Sequence, residues 1–207
     1  MKKGCLVLLV VAVVAGTGYY QWTTRPISHP AGVLTPEAPF QEDMPDRGRE
    51  SIEFKGCTLS AVAKFGVLAR VLGTSRYRFG REGDLAPVDL ALGWGRMSDT
   101  AVLDKLRVRQ SGRFYYWTSR QFPIPRREIE QSSANMHIIP ATKAVAADLK
   151  RIRRGHIVWF RGYLVNVSSD SDGWRWRTSG TRDDTGEGAC ELVFVRELRV
   201  FETPPKN

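Results

Sequence analysis

The chain has 207 residues, of which 42% are hydrophobic and 26% charged, and this composition is that of a globular protein rather than a disordered or fibrous one. A chain of this length can bury a hydrophobic core without metal ions or many disulfides. Its 31 Lys and Arg residues outnumber its 22 Asp and Glu residues, so the formal net charge is +9. That charge favours an anionic partner, such as lipid headgroups, acidic glycans, extracellular DNA or an acidic protein, without selecting one of them.

The N-terminal segment has the pattern of an export signal. Lys2 and Lys3 precede an uncharged, largely apolar run, and a positive region before an apolar region is typical of such signals. The positive-inside rule predicts the two lysines in the cytoplasm and the rest of the chain outside it. No clear cleavage site follows, so we expect residues 1–22 to be an uncleaved signal anchor, with residues 4–22 in the lipid. Cleavage would instead release the chain into the periplasm.

Composition also divides the chain after the predicted anchor. Residues 23–50 contain five prolines and show no apolar repeat of period 2 or 3.6, which is typical of an extended linker. Regular apolar patterns begin after this segment. We therefore expect residues 51–207 to form a single extracytoplasmic domain.

Four segments of that domain are predicted to be helices. Over residues 58–72 apolar side chains recur at spacings of three and four and a glycine follows, which is typical of a helix and its end. Residues 87–92 begin with a proline that suits a first helical turn, and residues 98–106 begin with a serine that suits a cap. The clearest helix covers residues 142–154, with a threonine at its cap position. Its basic C-terminal end complements the helix dipole, and a ligand-binding patch is the alternative explanation for those charges.

The other regular segments are predicted to be strands. Residues 108–118 are dense in aromatic side chains, and residues 136–139 form a short extended piece. Residues 156–167, 174–178 and 189–201 predict an antiparallel β-meander, with polar turns between them. We therefore expect an α+β fold, in which this C-terminal meander forms a small OB-like barrel or a curved sheet, packed with a few helices, after the N-terminal membrane segment.

Two cysteines lie beyond the predicted anchor, Cys57 and Cys190. An oxidising compartment and an even number of cysteines favour a disulfide between them. Two buried free thiols are the alternative, because sequence alone does not place two Cα atoms at bonding distance.

The motifs of several common enzyme classes are absent from the sequence. It contains no Gly-rich dinucleotide motif, P-loop, zinc-protease helix or nucleophile elbow, and no paired cysteines at zinc spacing. We therefore expect no cofactor and no metal. The remaining catalytic candidates are His137, His156, Asp183 and Asp184, since histidine titrates near neutral pH and a carboxylate can orient it. These four suggest a hydrolase, acting for example on phosphodiesters; the alternative is that the histidines bond to backbone and the aspartates form an ordinary loop.

Six residues are candidates for binding by an aromatic face or a positive charge: Trp94, Arg96, Trp174, Arg175, Trp176 and Arg177. Indole rings stack on sugars or bases, and arginines pair with anions. Residues 174–177 alternate between the two types, which also predicts that the rings pack inward while the arginines face water. Trp94 lies between two glycines, which indicates an exposed ring or a close approach of the backbone.

Three stretches are similar, as a set, to a known group of sequences: LAPVDLALGWGRMSD (85–99), SANMHIIPA (133–141) and the segment from 173 to 195. They resemble a family of small, uncharacterised, single-span envelope proteins of bacteria, mostly proteobacteria. The resemblance implies the envelope location and the single span. It implies no activity and no catalytic residue.

These observations together predict a single-pass inner-membrane protein of a bacterium, with its C-terminal domain in the periplasm. The favoured function is a non-catalytic binding or interaction module, and the hydrolase described above is the alternative. The expected partners are the membrane, through the anchor, and an envelope protein or an anionic envelope component, whereas a nucleic acid is not expected.

Overall fold

The structure is a computed structural model, which describes residues 25–47, 49–179 and 190–205. Short helices connect strands that pair mostly antiparallel, and the predicted α+β class is confirmed. The strands are β1 (Phe40–Asp43), β2 (Ser51–Phe54), β3 (Cys57–Arg76), β4 (Val88–Gly93), β5 (Arg107–Ser111), β6 (Phe114–Thr118), β7 (Ser133–Pro140), β8 (Ile157–Ser168), β9 (Arg175–Trp176) and β10 (Glu191–Phe201). The helices are α1 (Gly80–Leu85), α2 (Thr100–Leu103), α3 (Arg126–Gln131) and α4 (Lys143–Leu149).

Five of these strands pair in a closed ring. β3 pairs with β4 on one side and with β8 on the other, β4 pairs with β7, and β10 completes the ring between β7 and β8. The pairing of β7 with β10 is parallel, and the other four are antiparallel. The predicted C-terminal meander is therefore wrong in its strand order, because β10 pairs with β8 and β7 rather than with β9. A closed ring has no free sheet edges for pairing with other chains.

The ring encloses the largest hydrophobic cluster of the described residues. Alternate residues of each strand point inward, among them Phe65 from β3, Leu90 from β4, Met136 from β7 and Phe160 from β8. All four are nearly or completely inaccessible to solvent. On β4 and β7 the opposite face carries the polar residues Asp89 and His137, because successive side chains of a strand point to opposite sides.

The prediction of a helix over residues 58–72 is wrong, since this segment lies within β3. Its apolar side chains recur at spacings of three and four, but every odd-numbered residue from Leu59 to Val71 is also apolar and buried. The same residues therefore fit both the helical period and the strand period. The strand is favoured because its partners β4 and β8 satisfy the backbone hydrogen bonds along both edges.

Two other helix predictions also need correction. Residues 87–92 overlap β4, whose six residues are all buried. A strand that is buried on both faces lacks the alternation of apolar and polar residues by which a strand is recognised in a sequence. Residues 98–106 contain only the short helix α2, and a 3₁₀ turn at Gly95–Ser98 precedes it. The cap of α2 is Asp99, which accepts a hydrogen bond from the Ala101 amide at 2.8 Å, rather than Ser98.

The aromatic segment predicted as one strand over residues 108–118 is a hairpin. β5 and β6 pair antiparallel from Arg107↔Thr118 to Ser111↔Phe114, which leaves a two-residue turn of Gly112 and Arg113. Both turn residues have positive φ angles, 58° and 71°. This is the requirement of the hairpin turn that matches strand twist, and a residue other than glycine rarely meets it.

The predicted cap of the clearest helix is confirmed. The Thr142 hydroxyl accepts a hydrogen bond from the Val145 amide at 3.2 Å at the start of α4. The helix ends at Leu149, earlier than the predicted end at residue 154. Lys150 is the C-cap residue, where the helix dipole favours a positive charge, whereas Arg153 and Arg154 lie beyond it.

The segment predicted as a linker over residues 23–50 packs on the barrel in the part that the structure describes. β1 pairs with β3, the His29 ring lies 2.6 Å from the Gly155 carbonyl oxygen, and Thr35 is completely buried. The segment shows no apolar period because it contacts the barrel at isolated residues rather than along a continuous apolar face. The folded region thus begins well before Ser51.

No helix within the described ranges is long and apolar enough to cross a membrane. The predicted anchor at residues 1–22 lies outside those ranges, as does the loop at residues 180–189.

Candidate functional site

A groove of about 1230 Å³ lies at one end of the barrel. Its walls are the end of β3, the hairpin strand β5, the segment that follows α4 and the end of β10. Six basic residues and two acidic ones line it: Arg76, Arg109, Lys150, Arg151, Arg153, Arg154, Asp148 and Glu202. The positive residues predominate, so the groove favours an anion.

Two of the groove arginines are held in place by the protein itself. Arg76 donates to the carbonyl oxygens of Lys150 and Ile152, at 2.9 and 3.1 Å, and so binds the turn that follows α4. Arg153 pairs with Glu202 at 3.1 Å. The remaining four basic side chains, Arg109, Lys150, Arg151 and Arg154, belong to exposed residues. They are the ones positioned to meet a ligand.

His156 lies at the floor of this groove and is buried. Its Nδ1 atom accepts a hydrogen bond from the Arg153 amide at 3.1 Å. Burial, and then the nearby charge of Arg153, lower the pKa of His156 below its usual value. The ring is therefore neutral at neutral pH and serves as a structural acceptor.

His137 lies in different surroundings, on the outer face of β7. Its Nδ1 atom is 2.9 Å from Oδ1 of Asp89, the residue opposite it on β4, and its ring packs against Trp176 with 5.0 Å between centroids. Asp89 and His137 are both buried. The structure thus separates the two predicted histidines into different sets of contacts. Asp183 and Asp184 lie outside the described residues, so the carboxylate found beside His137 is Asp89, which the sequence analysis missed.

Arg113, at the tip of the hairpin, closes this cluster. Its Nη1 atom donates to Oδ1 of Asp89 and to the carbonyl oxygen of Ala86, both at 2.9 Å. Its guanidinium lies over the ring of Tyr77 at 3.8 Å and near that of Trp176 at 5.4 Å. Burial, and then the charge of Asp89, raise the pKa of Tyr77. Through these contacts of Arg113, the hairpin covers the polar outer face of β4 and β7.

Asn135 and Cys190 lie at the margin of the same cluster. Asn135 donates to the carbonyl oxygen of Arg113 at 2.8 Å, and its side-chain oxygen accepts from Gln110 at 2.8 Å. The Cys190 thiol contacts the Asn135 amide group at 3.8 Å. Burial raises the pKa of Cys190 to about 11, so the thiol is protonated at neutral pH and is a poor nucleophile. Cys57 packs in a separate apolar cluster, and both thiols are free in the structure.

The predicted aromatic and arginine candidates divide into three groups. Trp174 and Trp176 are half-buried while Arg175 and Arg177 are exposed, as the alternation predicts. Trp94 is only 4% exposed and belongs to the barrel core, so the expectation of an exposed ring is wrong. The close approach allowed by the flanking glycine is the correct alternative, since a Cβ on Gly93 would lie 2.5 Å from the Met97 oxygen. Arg96 is exposed and pairs with Glu128.

No protein-family model, curated protein or solved structure matches this chain. The envelope family that it resembles therefore stays a prediction. Within the described ranges, no group of three or more His, Cys, Asp or Glu side chains is arranged to hold a metal ion.

The residues that sequence reasoning missed have a weak signal in the sequence. Asp89 is the single charge in the apolar run Val88–Gly93, and a charge in such a run points to a paired, buried group. Arg113 follows a glycine between two strand-like segments, which is typical of a hairpin turn. Neither signal identifies the partner, because the pairing of Asp89 with Arg113 requires the hairpin to fold back on β4.

Proposed function

We propose that this chain is a non-catalytic binding module that holds an anionic ligand in the basic groove of an OB-type barrel. The ring of five strands, with α4 connecting β7 to β8, supports the OB-type assignment. The groove carries the functional proposal: four exposed basic side chains line it, and at least Arg109, on β5, is not explained by the dipole of α4. Barrels of this type bind extended ligands on an outer face and in the loops around it.

The location of the module is part of the proposal. Lys2, Lys3 and the apolar run that follows favour a signal anchor in the inner membrane, with the barrel in the periplasm. Acidic glycans and anionic headgroups are abundant on that side of the membrane. An anionic envelope component therefore fits both the charge of the groove and the expected position of the barrel.

A binding role suits the groove better than a catalytic one. Its histidine, His156, is neutral and its Nδ1 already accepts a backbone hydrogen bond. Of the two acidic residues that line it, Glu202 is paired with Arg153. A general acid or base needs an available group with a pKa near the working pH, and these two contacts leave neither side chain in that role.

The decisive experiment compares two double variants of the full chain in neutral-lipid nanodiscs. Arg109→Gln with Arg151→Gln removes two exposed charges from the groove, and Arg47→Gln with Arg127→Gln removes two exposed charges elsewhere. The probe is a fluorescent oligogalacturonate, an anionic oligosaccharide, measured by anisotropy. We expect the groove variant to lose about 5- to 30-fold in affinity, or about 1–2 kcal/mol, because exposed ion pairs contribute up to about 1 kcal/mol each.

The control variant should bind within about twofold of the wild type. Equal losses in both variants would show attraction to the net charge of the protein and would contradict a groove site. No measurable binding of the anionic probe by the wild type would refute the proposal directly.

A further inference from the structure

The guanidinium of Arg113 occupies a pocket that has the composition of a ligand-binding site. We propose that the pocket formed by Tyr77, Glu82, Asp89 and Trp176 binds a guanidinium group, and that Arg113 occupies it from within the same chain. The ligand class is a compound or peptide that carries a guanidinium. This inference concerns other residues than the basic groove and is independent of its function.

Charge complementarity is the first argument. Asp89 is completely buried and lies 2.9 Å from Nη1 of Arg113, and Glu82 lies 3.5 Å from Nε of the same side chain. Two carboxylates thus face one guanidinium. A buried carboxylate is costly unless a cation is paired with it, so the pocket selects for a positive group.

The aromatic walls add selectivity for a flat cation. The Tyr77 ring lies 3.8 Å from the Arg113 guanidinium carbon, and the Trp176 ring lies 5.4 Å from it. A planar guanidinium stacks on such rings while its edge pairs with a carboxylate, whereas an ammonium is a compact charge that makes no bidentate pair. The Ala86 carbonyl accepts a further hydrogen bond at the pocket wall, at 2.9 Å.

Arg113 fills this pocket incompletely. Its Nη1 bonds to Oδ1 of Asp89, whose other neighbour is Nδ1 of His137 at 2.9 Å, but Oδ2 of Asp89 is buried with no hydrogen-bond partner. A guanidinium that approaches along the carboxylate would satisfy both oxygens in a bidentate pair. Arg113 also holds a φ angle of 71°, which is unfavourable for a residue with a side chain. An unsatisfied buried oxygen and local backbone strain are both features that occur at functional sites.

The hairpin is therefore a cap that an external guanidinium can replace. Release of Arg113 would free the tip of the β5–β6 hairpin and expose the polar face of β4 and β7, including Asn135 and His137. The guanidinium can come from a small free compound or from an arginine side chain of a peptide. The chemistry of recognition is the same for both sources.

The test uses the full chain carrying Arg113→Gly. Glycine suits the positive φ angle at this position, so the turn is retained while the guanidinium is removed. The probe is methylguanidinium at up to about 20 mM, far below the molar concentrations at which guanidinium unfolds proteins. We expect saturable stabilisation, with a rise in Tm of about 3–6 °C at tenfold the Kd. Methylammonium at the same ionic strength should give no such rise.

Three further measurements decide the proposal. The double variant Arg113→Gly with Asp89→Asn should show no rise in Tm with methylguanidinium. The wild type should need about tenfold more ligand, because its own Arg113 competes; equal affinity in both proteins would place the ligand elsewhere and overturn the proposal. If Arg113→Gly does not fold alone, methylguanidinium should restore its β-sheet circular dichroism, and failure to restore it would also overturn the proposal.

The peptide Gly-Arg-Gly, compared with Gly-Lys-Gly, then distinguishes the two sources of the guanidinium. Binding of the arginine peptide supports a peptide source, and binding of methylguanidinium alone supports a small compound.

Discussion

Individual buried side chains take their roles from the groups that face them. His156 bonds through Nδ1 to a backbone amide and is held neutral. His137 instead faces the carboxylate of Asp89, 2.9 Å from its Nδ1, and the indole ring of Trp176. The same residue type therefore stabilises a turn at one position and borders a polar pocket at the other. A histidine in the sequence is a candidate for either role until its neighbours are known.

Replacing His156 tests the neutral state of its ring. Because the folded chain holds the pKa of His156 below its value of 6.5 in the unfolded chain, the unfolded chain binds more protons between the two values. The stabilising contribution of the neutral ring is thus complete above about pH 6.5 and is lost as the pH falls below it. In His156→Asn, whose side-chain oxygen can replace the Nδ1 acceptor, this part of the pH dependence should vanish.

The measurement is urea unfolding of both proteins at about pH 7.5 and about pH 5.5. The wild type should lose more free energy of unfolding between these values than the variant does. An equal loss in the two proteins would mean that His156 titrates normally in the folded state.

At the scale of single elements, the turns and helix caps depend on neighbouring residues, and the hairpin of β5 and β6 contributes most to the candidate sites. β5 and β6 are joined by two residues of positive φ, and this geometry places Arg113 at the tip. The helix α4 is capped by Thr142 and ends at Leu149, so the basic residues that follow lie at or beyond its C-cap, where they line a groove. Because the helix ends five residues earlier than predicted, part of this basic cluster lies beyond the helix and contributes to the groove.

The cap of α4 can be tested by substitution. Thr142→Ala should reduce the free energy of unfolding by about 1 kcal/mol, because the Val145 amide loses its acceptor at the helix start. Thr142→Ser keeps the hydroxyl and is the matched control, with an expected change of a few tenths of a kcal/mol. Thr142 is exposed, so lost core packing does not contribute. If both variants are equally destabilised in urea, the methyl group and not the hydroxyl stabilises this end of the helix.

At the scale of the whole molecule, closure of the barrel couples distant parts of the chain. β3 runs for 20 residues and pairs with both β4 and β8, with register shifts at Ala61/Ala63 and Val71/Gly73. Bulges of this kind bend a strand and increase its twist, which lets one long strand serve both sides of the ring. The apolar interior then depends on all five strands at once.

Truncating the centre of this interior should destabilise the entire barrel. Phe160 is completely buried and its ring lies 6.2 Å from that of Phe65, so Phe160→Ala should lower the free energy of unfolding by about 3–5 kcal/mol. Phe79→Ala is the matched control, because that ring is 90% exposed, and should cost less than about 0.5 kcal/mol. Hydrogen exchange should accelerate together in β3, β4 and β8. Acceleration confined to β8 would show that the strands open independently.

Much of the fold could be predicted from the sequence where the signal was local. The α+β class, the Thr142 cap and the alternation of residues 174–177 depend on neighbouring residues, and the structure agrees with each of them. The prediction of a helix over residues 58–72 is wrong because its apolar residues fit both the helical period and the strand period. The choice between the two depends on partner strands far away in the sequence. Of the candidate sites, the histidines could be named but their partners could not.

The sequence by itself determined the positive charge of this protein, its apolar N-terminal run and the local starts of its turns and helices, since these depend on composition and near neighbours. Only the tertiary structure decided that β3 is a strand, that Trp94 is buried and that Asp89 meets Arg113 and His137. The physical reason is closure of the barrel. Residues 24 and 48 positions apart become neighbours only when β4 and β7 pair and the hairpin folds over them.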